Sequence, residues 1–120
     1  MAYDDQNIFA KILRAEIPCD EVYRDEYALA FRDITPQAPV HILVIPIGQY
    51  VDIADFGTKA SADEINGFYR AVSKIANDQG LTENGFRTIA NTGDHGGQEV
   101  PYFHLHLLGG QQMGAMVTKS

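Results

Sequence analysis

Glu99-Val-Pro-Tyr-Phe-His-Leu-His-Leu-Leu-Gly-Gly-Gln111 is the stretch that decides the fold. Between positions 102 and 108 its side chains alternate, with Tyr102, His104 and His106 at even positions and apolar residues at odd ones. This is the period of a half-buried strand, which predicts one apolar face and one face that carries the imidazoles. Side chains at i and i+2 of a strand stand roughly 6–7 Å apart, so the two histidines can contact one small group together.

The composition is that of one globular domain, which we expect to span residues 1–120. Hydrophobic residues make up 45% of the chain and charged residues 21%, as in ordinary folded proteins. The formal net charge of −7 argues against binding to nucleic acid or to an anionic membrane, because both require a basic surface. A small-molecule ligand is therefore the expected partner.

Cysteine usage and the first residues predict a cytoplasmic protein. Cys19 is the single cysteine and cannot form an internal disulfide. Met1 is followed by polar residues and not by a basic segment with an apolar signal core. No apolar run approaches the roughly 20 residues that a membrane span needs.

Hydrophobic periodicity and turn residues predict two helices and five strands. The clearest helix covers residues 62–79, where Ser61 and Glu64 form a capping box and Gly67 costs about 1 kcal/mol relative to alanine. The order α-β-β-β-α-β-β predicts an α+β protein with a helix packed on one side of the sheet. The other predictions are a helix at 5–14, a hairpin from strands 21–24 and 27–33, a central strand at 41–45, a strand at 86–91, irregular chain at 49–60 and an unstructured tail at 111–120.

A His-x-His pair is a weak signal by itself, because the polar face of a strand carries such residues without a function. Three features around the pair favour a site. Gly96, Gly97 and Gln98 can form an anion-binding nest of backbone N–H groups directly upstream. Asn91 ends the preceding predicted strand, and His41 opens the predicted central strand at a matching depth.

Positions 94–117 contain no lysine or arginine, so a phosphate would be bound by imidazoles and amides instead of fixed cations. A neutral imidazole is an available nucleophile near pH 7, which suits attack on phosphorus. Metal binding by His41, His104 and His106 is a second interpretation, since imidazole is a common metal ligand. No His/Cys spacing matches a structural zinc site, and His95 is most simply a solvated loop residue.

Three motifs give the chain a family resemblance. They are residues 8–18, residues 30–46 and residues 91–113, and together they resemble histidine triad (HIT) proteins. More narrowly they are similar to the Hint branch, the nucleoside phosphoramidate hydrolases. The resemblance implies an antiparallel five-stranded sheet with one long helix and one short N-terminal helix, in a homodimer whose two sheets join.

The resemblance also implies residue roles and no cofactor or metal. His104 would be the nucleophile that takes a nucleotidyl group, and His106 and His41 would bind the phosphate and assist the leaving group. Asp33 would accept hydrogen bonds from the ribose hydroxyls. Further phosphate contacts would come from Asn91, Gly97 and Gln98, and a purine slot from Phe9, Ile12, Phe31 and Ile34, which as ordinary core residues would need no ligand.

Two positions depart from the family pattern. Tyr102, which we also count among the substrate-binding residues, replaces the first histidine of the triad, a position that acts mainly through hydrogen bonds behind the nucleophile. A phenol can still donate or accept such a bond, but it cannot carry a proton as imidazole does at neutral pH, so lower activity is expected. Glu99 occupies a position near the leaving group that usually holds serine, and a carboxylate there favours a cationic or neutral amine over an anion. The two expected functions are therefore a purine nucleoside phosphoramidate or acyl-nucleotide hydrolase and, alternatively, a nucleotide-binding protein with weak or no catalysis.

Overall fold

A computed structural model describes residues 2–118 of the chain. Five strands and five helices occur in these residues, in the order α1 (Ile8–Leu13), β1 (Glu21–Arg24), β2 (Ala28–Arg32), β3 (Val40–Pro46), α2 (Ile53–Lys59), α3 (Ala62–Asp78), α4 (Leu81–Asn84), β4 (Arg87–Ile89), α5 (Gly93–Gly96) and β5 (Leu105–Gly109). No helix among them is both long and apolar enough to cross a membrane.

The strands form one antiparallel sheet in the order β1-β2-β3-β5-β4, which confirms the predicted α+β class and the five-stranded sheet. β3 lies at the centre and is buried along nearly its whole length, as its unbroken apolar run predicts. Its pairing with β5 places His41 opposite Leu108 and Leu43 opposite His106. Residues 41, 43, 106 and 108 therefore share one face of the sheet.

Each face of the sheet has its own apolar core. Ala28, Ala30 and Phe103 point to the face that α2, α3 and α4 cover, and they pack with Phe56 and Phe68. The opposite face carries Leu29, Phe31 and Tyr102 under α1, through Phe9 and Ile12. The prediction of a helix packed on one side of the sheet is therefore incomplete, because α1 covers part of the opposite face, which carries His41 and His106.

Three local predictions differ from the structure. The irregular chain predicted at 49–60 contains α2, which begins after Asp52 because this side chain accepts a hydrogen bond from the Asp55 N–H. The predicted histidine strand begins only at Leu105, so Tyr102 and His104 lie in the irregular segment before it. The predicted glycine-rich loop at residues 93–98, which includes His95, contains the single turn α5.

Gly67 has a packing role that outweighs its helix propensity. The predicted capping box is present, since Ser61 and Glu64 exchange hydrogen bonds at the start of α3. One turn further, a Cβ atom on Gly67 would overlap Cγ of Tyr27 and would lie 2.8 Å from Cβ of the same residue. The helix approaches the β1–β2 hairpin this closely only because residue 67 has no side chain.

We expect Gly67→Ala to lower the free energy of unfolding by roughly 1–3 kcal/mol, because the new methyl group overlaps the base of the Tyr27 side chain. Gly57→Ala in α2 is the matched control, since its new Cβ has no atom within 4 Å, and it should gain up to about 1 kcal/mol. Urea unfolding measures both. Equal stabilisation of the two variants would contradict the packing role.

Candidate active site

A cleft of about 660 Å³ lies on the α1 side of the sheet. It collects all the predicted site residues except His41 and Tyr102, which lie beneath its surface. The predicted residues in its lining are Phe9, Ile12, Phe31, Asp33, Ile34, Asn91, Gly97, Gln98, Glu99, His104 and His106.

The imidazoles of His41 and His106 form a hydrogen bond at the base of this cleft. Nε2 of His41 lies 2.9 Å from Nδ1 of His106. The two residues are diagonal neighbours on the paired strands β3 and β5, a position from which long side chains meet. His41 is buried and His106 is half-buried, so the second ring faces the cleft and the first supports it from behind.

Hydrogen-bond partners determine which nitrogen of each ring carries the proton. The backbone N–H of Gln37 donates to Nδ1 of His41 at 3.0 Å, so this nitrogen holds a lone pair. Neutral His41 therefore carries its proton on Nε2 and donates it to Nδ1 of His106. Neutral His106 in turn carries its proton on Nε2, as a hydrogen-bond donor for an oxygen in the cleft.

His104 is oriented in the opposite sense. Its Nδ1 lies 2.7 Å from the backbone carbonyl oxygen of Tyr102, and because a carbonyl only accepts, Nδ1 carries the proton. Neutral His104 therefore holds its lone pair on Nε2. The ring packs edge-on against Phe9 at 4.8 Å between centroids and lies 5.1 Å from the His106 ring.

Burial keeps both cleft histidines neutral near pH 7. Loss of hydration lowers the pKa of His104, although its bond to the Tyr102 carbonyl and the charges of Asp33 and Glu99 act in the other direction. Burial, with the neighbouring His104 and His41, lowers the pKa of His106 to about 4. The arrangement supplies a neutral nucleophile beside a neutral N–H donor.

Asp33 joins the histidine pair from the β2–β3 connection. Its backbone N–H donates to the carbonyl of His41 at 3.0 Å, which closes the connection and brings the carboxylate over the imidazole. One carboxylate oxygen accepts from the Thr35 N–H at 2.8 Å, and the other lies 3.4 Å from His41 Nε2. Asp33 is half-buried and lines the cleft, where it can accept hydrogen bonds from a ligand.

The prediction that the backbone N–H groups of Gly96, Gly97 and Gln98 form an anion-binding nest is wrong for Gly97 and Gln98, because both N–H groups already have partners in the loop. The N–H groups of Gly97 and Gln98 donate to the carbonyls of Asp94 and Gly93 within α5, so they are not aimed at a ligand. The Gln98 side chain is also occupied: its oxygen accepts from the Gly93 N–H and its NH₂ group donates to the carbonyls of Val51 and Val100. Gln98 anchors the loop that forms this rim.

Tyr102 does not line the cleft. Its side chain is fully buried, and its hydroxyl donates among the carbonyl oxygens of Pro46, at 2.6 Å, and Gly48, at 2.9 Å. Burial raises the pKa of Tyr102, which keeps the phenol protonated. The prediction that this side chain contacts substrate is therefore wrong, and the residue acts on His104 through its backbone carbonyl.

The predicted purine slot has a buried part and an exposed part. Phe9, Ile12 and Phe31 pack into the α1 core while they line the cleft, so both interpretations of these residues hold. Ile34 is 94% exposed on the β2–β3 connection and forms an open rim. Ile8 of α1, which the sequence did not single out, is exposed on the cleft lining as well.

One group of side chains has the composition of a metal site. Ligand atoms of Asp33, His41 and His106 all lie within 4.8 Å of one another. Two imidazoles and a carboxylate are ligands that zinc accepts. A metal there would have to displace the proton that His41 and His106 share, so it would replace the arrangement described above and not add to it.

Comparison with known proteins identifies relatives along nearly the whole chain. The HIT domain model matches residues 14–113. A HIT-like protein of Azospirillum brasilense is 52% identical over 117 residues, which cover 98% of this chain and 96% of that protein. The purine nucleoside phosphoramidase of Escherichia coli K12 is 45% identical over 114 residues, 95% of each chain.

Solved structures agree with this relationship. A histidine triad protein from Clostridium difficile superposes with a TM-score of 0.85 at 39% identity, and the match covers 98% of this chain and 100% of the other. The α+β fold with its five-stranded antiparallel sheet is thus that of known structures. The chain belongs to the histidine triad (HIT) family.

Proposed function

We propose that this protein is a Hint-like hydrolase that cleaves purine nucleoside 5′-phosphoramidates or acyl-nucleotides through a nucleotidyl-His104 intermediate. The observation that carries the proposal is the hydrogen bond from His104 Nδ1 to the Tyr102 carbonyl, which leaves the Nε2 lone pair for attack. The similarity to a purine nucleoside phosphoramidase supports this substrate class.

For a phosphoramidate, the first step forms a P–N bond to the enzyme and breaks one in the substrate. For an acyl-nucleotide, the P–O bond to the acyl group breaks instead, and the carboxylate leaves with the electron pair and takes up no proton. His104 Nε2 attacks phosphorus, and the leaving nitrogen departs with the bonding electron pair and takes one proton from solvent to become a free amine. Meanwhile the Nε2–H of His106 donates to a phosphoryl oxygen, and His41 holds that ring in the required tautomer.

The second step regenerates the enzyme. Water attacks phosphorus, the bond to His104 breaks with its electron pair returning to Nε2, and one proton passes to solvent. The products are the nucleoside monophosphate and, from the first step, the amine. The proton taken up in the first step balances the proton released in the second.

The remaining predicted contacts complete the proposed site. Asp33 would accept from the ribose hydroxyls, and Phe9, Ile12, Phe31 and Ile34 would surround the purine. Asn91, Gly97 and Gln98 would stand at the phosphate, where a contact from the Gly97 N–H or from the Gln98 amide requires exchange of a present partner. The resemblance also implies a homodimer with joined sheets, and β4 is an edge strand suited to such pairing.

The intermediate can be trapped directly. With substrate labelled on phosphorus and quenched during turnover, we expect an acid-labile adduct on His104 and a loss of at least about 1,000-fold in kcat for His104→Ala. His95→Ala is the matched control, because His95 lies in α5 outside the cleft lining. Turnover of His104→Ala at the wild-type rate would refute the proposed nucleophile.

Activity should persist below the ordinary pKa of histidine. His104 and His106 act in the neutral form, and burial lowers the pKa of both, so neither protonates as the pH falls through about 6.5. The acid limb of kcat/KM is therefore expected below pH 6.5, towards the His106 value of about 4. A profile measured in constant ionic strength that falls to half at pH 6.5 or above would contradict this.

Tyr102→Phe separates stability from catalysis. Removing the hydroxyl leaves the carbonyls of Pro46 and Gly48 without this donor, which should cost roughly 1–3 kcal/mol of unfolding free energy. The backbone carbonyl that orients His104 is retained, so we expect kcat to stay within about threefold of wild type. Tyr69→Phe on the exposed side of α3 is the stability control.

Weak wild-type turnover that rises strongly in Tyr102→His would favour the alternative that this position limits the protein to nucleotide binding. Wild-type turnover at an enzyme-like rate together with an unchanged variant excludes that alternative.

A further inference from the structure

The peptide group between Tyr102 and Phe103 connects the cleft to the side of the sheet that α3 covers. Its carbonyl oxygen accepts the hydrogen bond from Nδ1 of His104 at 2.7 Å. Its N–H donates to the backbone carbonyl oxygen of Tyr50 at 2.7 Å. The N–H and C=O of a trans peptide lie in one plane, and a peptide that donates through its N–H accepts more strongly through its C=O. The carbonyl of Tyr50 therefore fixes the peptide that orients His104.

Tyr50 is in turn held by its side chain. Its hydroxyl lies 3.0 Å from Oε1 and 2.8 Å from Oε2 of Glu64, in the first turn of α3. A carboxylate only accepts, so the phenol donates to Glu64. The Tyr50 ring packs edge-on against Phe56 at 5.2 Å between centroids, and Phe56 lies 5.0 Å from the ring of Phe103. Both ends of Tyr50, the carbonyl and the hydroxyl, therefore have fixed partners.

Glu64 is fixed by the capping box and by close packing. Its Oε1 accepts from the N–H of Ser61 at 3.1 Å, and its own N–H donates to Oγ of Ser61 at 3.1 Å. A Cβ atom on Gly48 would lie 2.6 Å from Oε2 of Glu64 and 2.8 Å from Cε2 of Tyr50. The phenol and the carboxylate thus meet in a space that a side chain at residue 48 would take from them.

We propose that Tyr50 is a positioning residue for His104 and that Glu64 acts on the nucleophile through it. The inference rests on the proposed function, in which His104 attacks phosphorus. The connection runs from the first turn of α3 through the Tyr50 side chain to its carbonyl, and from there through one peptide group to Nδ1 of His104. Tyr50 and Glu64 lie outside the cleft lining. Their effect on turnover therefore passes through the orientation of the imidazole and not through contact with substrate.

Two variants break this connection and leave the peptide that binds His104 in place. Tyr50→Phe removes the hydroxyl, and Gly48→Ala displaces the Glu64 carboxylate while both partners remain. Tyr23→Phe is the matched control. It removes a half-buried hydroxyl that donates to the carboxylate of Asp25 at 2.7 Å, on β1 and outside the cleft lining.

Histidine side-chain NMR of the free protein measures the orientation of His104 without a substrate. Wild type and Tyr23→Phe should show an Nδ1 proton that exchanges slowly with water, because it is bonded to a carbonyl. We expect about tenfold faster exchange in Tyr50→Phe and Gly48→Ala, where the carbonyl is held less firmly. With an adenosine 5′-phosphoramidate, kcat should fall about three- to tenfold in both variants while KM stays within about twofold.

Each contrary result has a separate meaning. Wild-type exchange or wild-type kcat in Tyr50→Phe would overturn the positioning role and leave the proposed hydrolase standing; if this variant does not fold, Gly48→Ala decides by the same two measurements. Equal changes in Tyr23→Phe would overturn the role too, because the effect would then be a general loss of stability. If wild type hydrolyses no phosphoramidate, the proposed function fails, and the exchange of the His104 proton alone decides whether Tyr50 positions the ring.

Discussion

The register between β3 and β5 is the constraint on which the site depends. A shift of one residue would turn His106 and His104 to the face that α3 covers and would separate His41 from its partner. The apolar side chains prevent that shift, because Ile42 and Leu107 must stay in the core beneath α3 while Leu43 stays under α1. The packing of two cores therefore sets a contact of 2.9 Å between two imidazole nitrogens.

The sequence predicted the parts of the fold that depend on local pattern. The capping box and the apolar spacing of α3 were sufficient for that helix, and the unbroken run after His41 was sufficient for a central strand. α2 was not predicted, because Phe56 is its only buried side chain and its seven residues therefore show no periodic apolar stripe. Its capping residue Asp52 was the signal that was available.

The sequence predicted which side chains form the site, but it did not predict the hydrogen bonds that orient them. Side-chain types identified His41, His104 and His106, but the groups that fix their protons are backbone atoms of Gln37 and Tyr102, which no residue type reveals. The prediction for Gln98 failed for the same reason. An amide beside a glycine turn suits a phosphate, yet its NH₂ group donates to the carbonyl of Val51, which is distant in sequence, and to that of Val100. The sequence did indicate that Gln37 could be a backbone donor, because it has an N–H group and lies between Pro36 and Pro39, which have none.

Tyr102 shows why a change of side chain at this position need not alter the orientation of His104. The group that orients His104 is the carbonyl of residue 102, which every amino acid supplies. The side chain has a separate structural role. Its ring packs in the α1 core, and its hydroxyl donates a hydrogen bond to the Pro46 carbonyl at the end of β3. A phenol serves there because it combines a large apolar ring with one donor at the right depth.

The electrostatics of the cleft have a consequence for turnover in the proposed reaction. Neutral imidazoles beside the carboxylates of Asp33 and Glu99 offer a phosphate no positive charge, so the ground state gains little from charge. The nucleoside monophosphate product carries more negative charge near neutral pH than a phosphoramidate monoester does. Its repulsion from Asp33 and Glu99 is accordingly greater, and in the proposed reaction these charges favour release of the product.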